Sequence, residues 1–153
     1  MDVVRRSARG ALAGLAGTAA MSALMLAAGR VGVLGRQPPQ AIAERAVQRG
    51  SGDRPPAPVD RALGVVLHLG FGLGAGGTYA LLPRRLPPQV RGCAWGLGIY
   101  LTSYQGWVPA LGALPPASQD RRDRVAVMVL AHLLYGSVLA RTEEALRARD
   151  GVA

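Results

Sequence analysis

Two histidines stand in stretches that hold no other strongly ionisable group: His68 in the run HLGFG (68–72) and His132 in the run HLLYG (132–136). Both fit the pattern His-Leu-x-(Phe/Tyr)-Gly. An imidazole can relay protons or sense pH. A pair on facing helices can instead ligate one haem, whose flat ring needs small residues beside it. The same ring can also simply pack, bonded to a hydroxyl or a backbone carbonyl, and this is the leading reading, ahead of proton handling and then haem. A second polar group lies later in the chain, where Tyr100 and Tyr104 share one helical face and Gln105 adjoins them. Aligning Arg9 with Arg91 sets Thr18 and Ser22 opposite the two tyrosines. His68, His132, Tyr100, Tyr104 and Gln105 are therefore the candidate polar site, suited to hydrogen bonding between helices or to a water-lined solute path.

Other chemistry has little to work with. The single cysteine, Cys93, excludes an internal disulfide and a multi-cysteine metal site. There is no His/Glu metal motif and no G-x-S-x-G nucleophile elbow, and GFGLGAGG follows no strand that would make it a nucleotide loop. The expectation is a protein that is not an enzyme, with no cofactor and no metal.

The elements that position these residues follow from where charge is missing. Arginine and acids are absent from four windows, Gly10 to Gly29, Ala62 to Pro83, Gly92 to Gln119 and Val125 to Ala140, which hold 86 of the 153 residues. A bilayer core of roughly 30 Å takes about 20 apolar residues per helix. Three windows meet that length; the fourth meets it if Arg124 and Arg141 extend to the interfaces. A soluble bundle would instead show amphipathic helices, and these windows are uncharged all the way round. The opening RRSARG and the small residues Ala27, Ala28 and Gly29 also suit a cleaved leader, but three more apolar windows follow and the first has a match later in the chain.

The expected fold is all-α and integral to a membrane. It is a single domain over residues 1–153, with spans of about 8–33, 60–82, 91–109 and 123–141. A short interfacial helix of about 39–49 should turn Ile42, Ala46 and Val47 to one side and stop at Gly50. The last turns of the fourth helix, with Glu143, Glu144 and Arg147, are expected to reach water. Small residues at four-residue spacing, Gly10 with Gly14, Gly70 with Gly74, Gly72 with Gly76 and Gly92 with Gly96, are the expected helix-packing stripes, because in lipid close backbone approach drives association.

Three matches recur in order: RGALAGL (9–15) with RGCAWGL (91–97), LGRQPP (34–39) with LGALPP (111–116), and the two histidine motifs. Together they suggest two repeated helical hairpins. The net charge of +9 comes entirely from arginine, 18 against 9 acids. These arginines flank the apolar windows, where anionic head groups would meet them. The expected partners are thus the lipid bilayer and a second copy or another membrane protein, and no nucleic acid. Arginines divide evenly between the two sides, so the cluster Arg5, Arg6 and Arg9 alone favours both termini in the cytoplasm.

The segments GLAGTAAMSALML, LGRQPPQAI, HLGFGLGAGG and RRDRVAVMVLAHLLYG, in that order, resemble small bacterial inner-membrane proteins of the YagU-like type. The resemblance covers about Gly14 to Gly136 and implies a multi-pass plasma-membrane protein of unknown function, linked loosely to stress or acid tolerance. It supplies no catalytic residues. The sequence thus points to a structural or accessory membrane protein, with a small channel or transporter for a proton or small solute as the alternative.

Overall fold

In the computed structural model, which describes residues 3–151, the chain is all-α. Helix α1 (Val3–Arg30) is followed by α2 (Pro38–Ser51), α3 (Ala57–Leu81), α4 (Pro88–Thr102), α5 (Val108–Leu111) and α6 (Arg122–Arg149). A π-helical turn, Ser103–Trp107, joins α4 to α5, and a single 3-10 turn, Ala117–Gln119, precedes α6. Prolines set most of the starts. Pro38, Pro88 and the Pro55-Pro56 pair stand at or just before first turns, where a missing N–H is no loss.

Three helices, α1, α3 and α6, are long and apolar enough to cross a membrane. Their outer faces carry the residues that such a setting needs: Leu12, Val66 and Leu130 are each more than half exposed. The third expected span is segmented. Its α4, π and α5 pieces have 15, 5 and 4 residues. The cause is local: Pro109 has no N–H to give and its ring crowds the carbonyl one turn back, while the Ser103 hydroxyl bonds the Ile99 carbonyl at 2.6 Å. The ladder widens there, and the Val108 N–H reaches back five residues to the Ser103 carbonyl.

Several boundaries differ from expectation, each for a backbone reason. α1 ends at Arg30, short of residue 33, because Gly32 adopts φ 79° and closes the helix with paired bonds, Gly32 N–H to the Gly29 carbonyl and Val33 N–H to the Ala28 carbonyl. α2 runs through Gly50 and stops at Gly52, the residue that takes the left-handed conformation. The face α2 buries carries Ala41 and Glu44, while Ala46 is exposed. Gly112 closes α5 in the same manner as Gly32 closes α1. The matched LGRQPP and LGALPP runs therefore do not share a backbone role, since the glycine aligned with Gly112 is Gly35 and not Gly32.

The long helices lie in a row, α3, α1, α6, α4, with α1 packed on α3 and on α6, and α4 packed on α6. The N-terminal end of α1 and the C-terminal end of α6 lie together, joined by Arg9 and Asp150 at 3.2 Å. Glycine makes two of these contacts possible. A Cβ on Gly10 would overlap the Gly76 carbonyl and one on Gly14 the Gly72 carbonyl; likewise Gly92 would overlap the Gly136 carbonyl and Gly96 the His132 carbonyl. Gly70 and Gly74 are a correction: both are exposed, and a Cβ on either would meet nothing within 4 Å. Two interleaved pairs set two residues apart point about 200° from one another on a helix, so only Gly72 and Gly76 can face α1.

Candidate functional site

α3 and α4, on the outer flanks of the row, approach one another at one end, where the rings of Tyr79 and Trp95 are 6.4 Å apart. Towards the other end a cavity of about 300 Å³ opens between them. His68 and His132 both line it, as do Thr18 from α1 and Tyr104 from the π turn. α2 forms its floor through Pro38, Pro39 and Ile42. That floor is tied down from below: Arg45 donates to the Leu111 carbonyl and Arg49 to the Ala110 carbonyl, each at 3.2 Å, and Gln37 donates to the Met25 carbonyl at 3.4 Å. Arg36 pairs with Glu44 and lies 3.7 Å from Asp60, which joins α2 to α3.

The cavity wall is open on one side. Leu67, Phe71 and Trp107 line it, and each is between 44 and 49 % exposed. These three residues sit on the lips of the gap between α3 and the π turn, which is the face the apolar surface of the bundle shares. The rest of the lining is almost wholly apolar and, among the described residues, includes no carboxylate.

Within this space His132 is buried and held on two sides. Its Nδ1 lies 2.7 Å from the Met128 carbonyl, and its ring meets Tyr100 edge-on with centroids 5.5 Å apart. Tyr100 stacks on Tyr104 at 5.5 Å, and the Tyr104 hydroxyl donates to the Asp120 carboxylate. His68 is half-buried, and its Nε2 is shut off from solvent with no hydrogen-bond partner among the described residues. The histidines and Tyr104 thus come together, Tyr100 stands behind them, and Gln105 is exposed outside the cavity. The glycine register sets the two histidines one turn apart relative to the packing stripes: Gly14 faces Gly72, four residues beyond His68, whereas Gly96 faces His132 itself.

Tyr135 and Trp107 were not among the expected site residues. The Tyr135 ring packs on Gly17 and its hydroxyl donates to the Gly72 carbonyl at 3.4 Å. Its signal was the aromatic position that Phe71 and Tyr135 share within the two histidine motifs. Among the described residues no group of three or more His, Cys, Asp or Glu is placed to hold a metal ion.

Among the described residues the protein is helical, with three helices long and apolar enough to cross a membrane and an apolar cavity between its flanking helices. The chain belongs to a family of unknown function, DUF6789, whose model matches residues 4–152. No curated protein and no solved structure matches it.

Proposed function

We propose that this is a non-enzymatic accessory protein of a bacterial inner membrane, crossing it four times, that takes up an apolar molecule from the bilayer into the cavity between α3 and α4. The segmented α4–α5 rod supplies the fourth crossing, since its residues reach roughly 36 Å at about 1.5 Å each. In this reading both termini are cytoplasmic, the two glycine-packed hairpins are copies of one unit, and the chain is akin to the YagU-like proteins it resembles.

The observation that carries the reading is the half-exposed trio Leu67, Phe71 and Trp107 on the lips of an apolar space that opens to the surface of the bundle. An apolar pocket with a few convergent polar groups is the usual form of a small-molecule site. A binding role is favoured over a channel because the other end of the bundle is filled: Tyr79 and Leu139 are fully buried there, beneath a buried Glu143.

Two measurements bear on this. The protein is expected to stay with the membrane fraction after washing in alkaline carbonate, because apolar spans are held by burial and not by surface charge; release into the soluble fraction would end the membrane assignment. In detergent, 1-bromododecane is expected to quench tryptophan emission saturably, and the saturable part should vanish in Trp107→Phe yet persist in Trp95→Phe. Quenching that rises linearly and equally for both tryptophans would mean partitioning into the micelle and no cavity binding.

A further inference from the structure

We infer that the molecule taken up carries a phenolic O–H on an apolar body, and that His132 Nε2 accepts its proton in a hydrogen bond. The inference deepens the binding role proposed above and rests on it.

The polarity of His132 is fixed by its partner. A backbone carbonyl can only accept, so the nitrogen 2.7 Å from the Met128 oxygen, Nδ1, bears the hydrogen. Among the described residues no carboxylate lines the cavity to compensate a charged ring. In the neutral tautomer that remains, Nε2 holds a lone pair and is an acceptor. The ring cannot swing away to satisfy it elsewhere, because Tyr100 stands against its edge at 5.5 Å and the Gly96 crossing clamps the His132 backbone.

The second imidazole offers a further polar contact. His68 Nε2 is buried at the wall of the same space and has no hydrogen-bond partner among the described residues. An unsatisfied polar atom in an apolar interior is rare in folded proteins, and one that faces a cavity is a ready contact for a ligand. The hydroxyl donors of the lining are committed elsewhere: the Thr18 hydroxyl bonds the Gly14 carbonyl at 2.9 Å, Ser103 bonds Ile99, Tyr104 bonds Asp120 and Tyr135 bonds Gly72. No hydroxyl of the described lining is therefore left to donate to His132 Nε2.

The shape of the walls selects the body. Phe71, Tyr104, Trp107 and Tyr135 all face the space, and aromatic rings pack one another in offset or edge-on contacts that add to plain burial. A cavity of about 300 Å³ has room for one ring and a short apolar tail. A phenol unites that ring with a donor stronger than an aliphatic alcohol.

The test uses the purified full-length protein and two probes that differ only in the donor, 4-octylphenol and its methyl ether 4-octylanisole, each competing against 1-bromododecane quenching of Trp107. The phenol should compete about tenfold better, the effect of one hydrogen bond to an acceptor that has no other partner among the described residues. In His132→Asn, whose amide can still donate to the Met128 carbonyl but offers nothing at the Nε2 position, the ratio should fall to about one. His132→Gln, which can place an amide oxygen there, should restore part of it. Equal competition by phenol and ether in the parent protein overturns the inference while leaving the cavity's binding role intact. A preference that survives in His132→Asn overturns it as well, because the acceptor then lies elsewhere. If neither probe competes and bromododecane quenching is itself unsaturable, the underlying binding role fails. Should His132→Asn not fold, His132→Gln reads the acceptor instead: a phenol-to-ether ratio below that of the parent supports the inference, and an unchanged ratio overturns it.

Discussion

Gly76→Leu is expected to prevent α1 and α3 from closing, with a loss of stability of at least about 3 kcal/mol, at the top of the range for overpacked cores. The reason is that the obstacle is backbone. A Cβ on Gly76 would overlap the Gly10 carbonyl and lie 2.7 Å from Gly14 Cα, and main chain cannot step aside as the end of a flexible side chain can. The whole leucine would force the two helix axes apart and strip the contacts of Ala13 and Ala80, both fully buried. In a bilayer the separated helices would not be drawn back by burial, since lipid is as apolar as leucine. Gly74→Leu, two residues away on the outward face, should change stability by less than about 0.5 kcal/mol. Thermal unfolding in detergent, followed by helical circular dichroism, with size-exclusion profiles alongside, reads both variants. Similar unfolding temperatures for Gly74→Leu and Gly76→Leu would rule out a glycine-packed crossing.

That pair of variants also marks where the sequence was readable and where it was not. The apolar windows made the helices legible, and the four-residue glycine spacing made close crossings legible. The spacing could not say which interleaved pair, Gly70 with Gly74 or Gly72 with Gly76, faces a partner, because both have the same period and only the neighbouring helix breaks the tie. His68, His132 and Tyr104 were legible as polar residues in apolar surroundings, and they do share one cavity. Gln105 was grouped with them on adjacency, but a residue next to Tyr104 lies about 100° round the helix and points elsewhere. The π turn was hidden as well. Pro109 signals an end to helical hydrogen bonding, and the chain met that signal by widening the ladder instead of stopping.

Glu143 is where the sequence misled most, and it carries the second large effect. It follows the last apolar window by one turn, a position that predicts a place in water. It is instead 1 % exposed. The surplus of arginine explains why: Arg84 from the loop after α3 reaches it at 2.7 Å, Arg9 from α1 at 3.4 Å and Arg91 from α4 at 3.6 Å. One carboxylate thereby joins three separate parts of the chain to α6. Its partners are not equally dependent on it. Arg84 is part exposed and can turn to solvent, and Arg9 also pairs with Asp150. Arg91 lies over the Tyr79 ring with its carbon 4.3 Å from the centroid, and its Nε and Nη1 are buried with no hydrogen-bond partner among the described residues. Glu143→Ala therefore strands Arg91. Removing one member of a buried ion pair costs about 3–5 kcal/mol, because the charge left behind has neither water nor partner. Glu143→Gln, which keeps the size and one acceptor oxygen, should lose less. The decisive variant is the double change Glu143→Ala with Arg91→Leu: deleting the stranded charge should recover more than half of the loss, since an apolar replacement of a buried ion pair is often close to neutral. Arg84→Ala alone should cost no more than about 1 kcal/mol, as expected for a partly exposed pair. If Glu143→Ala unfolds at the parent temperature, or if Arg91→Leu makes it worse, the carboxylate is not what holds this end of the bundle together.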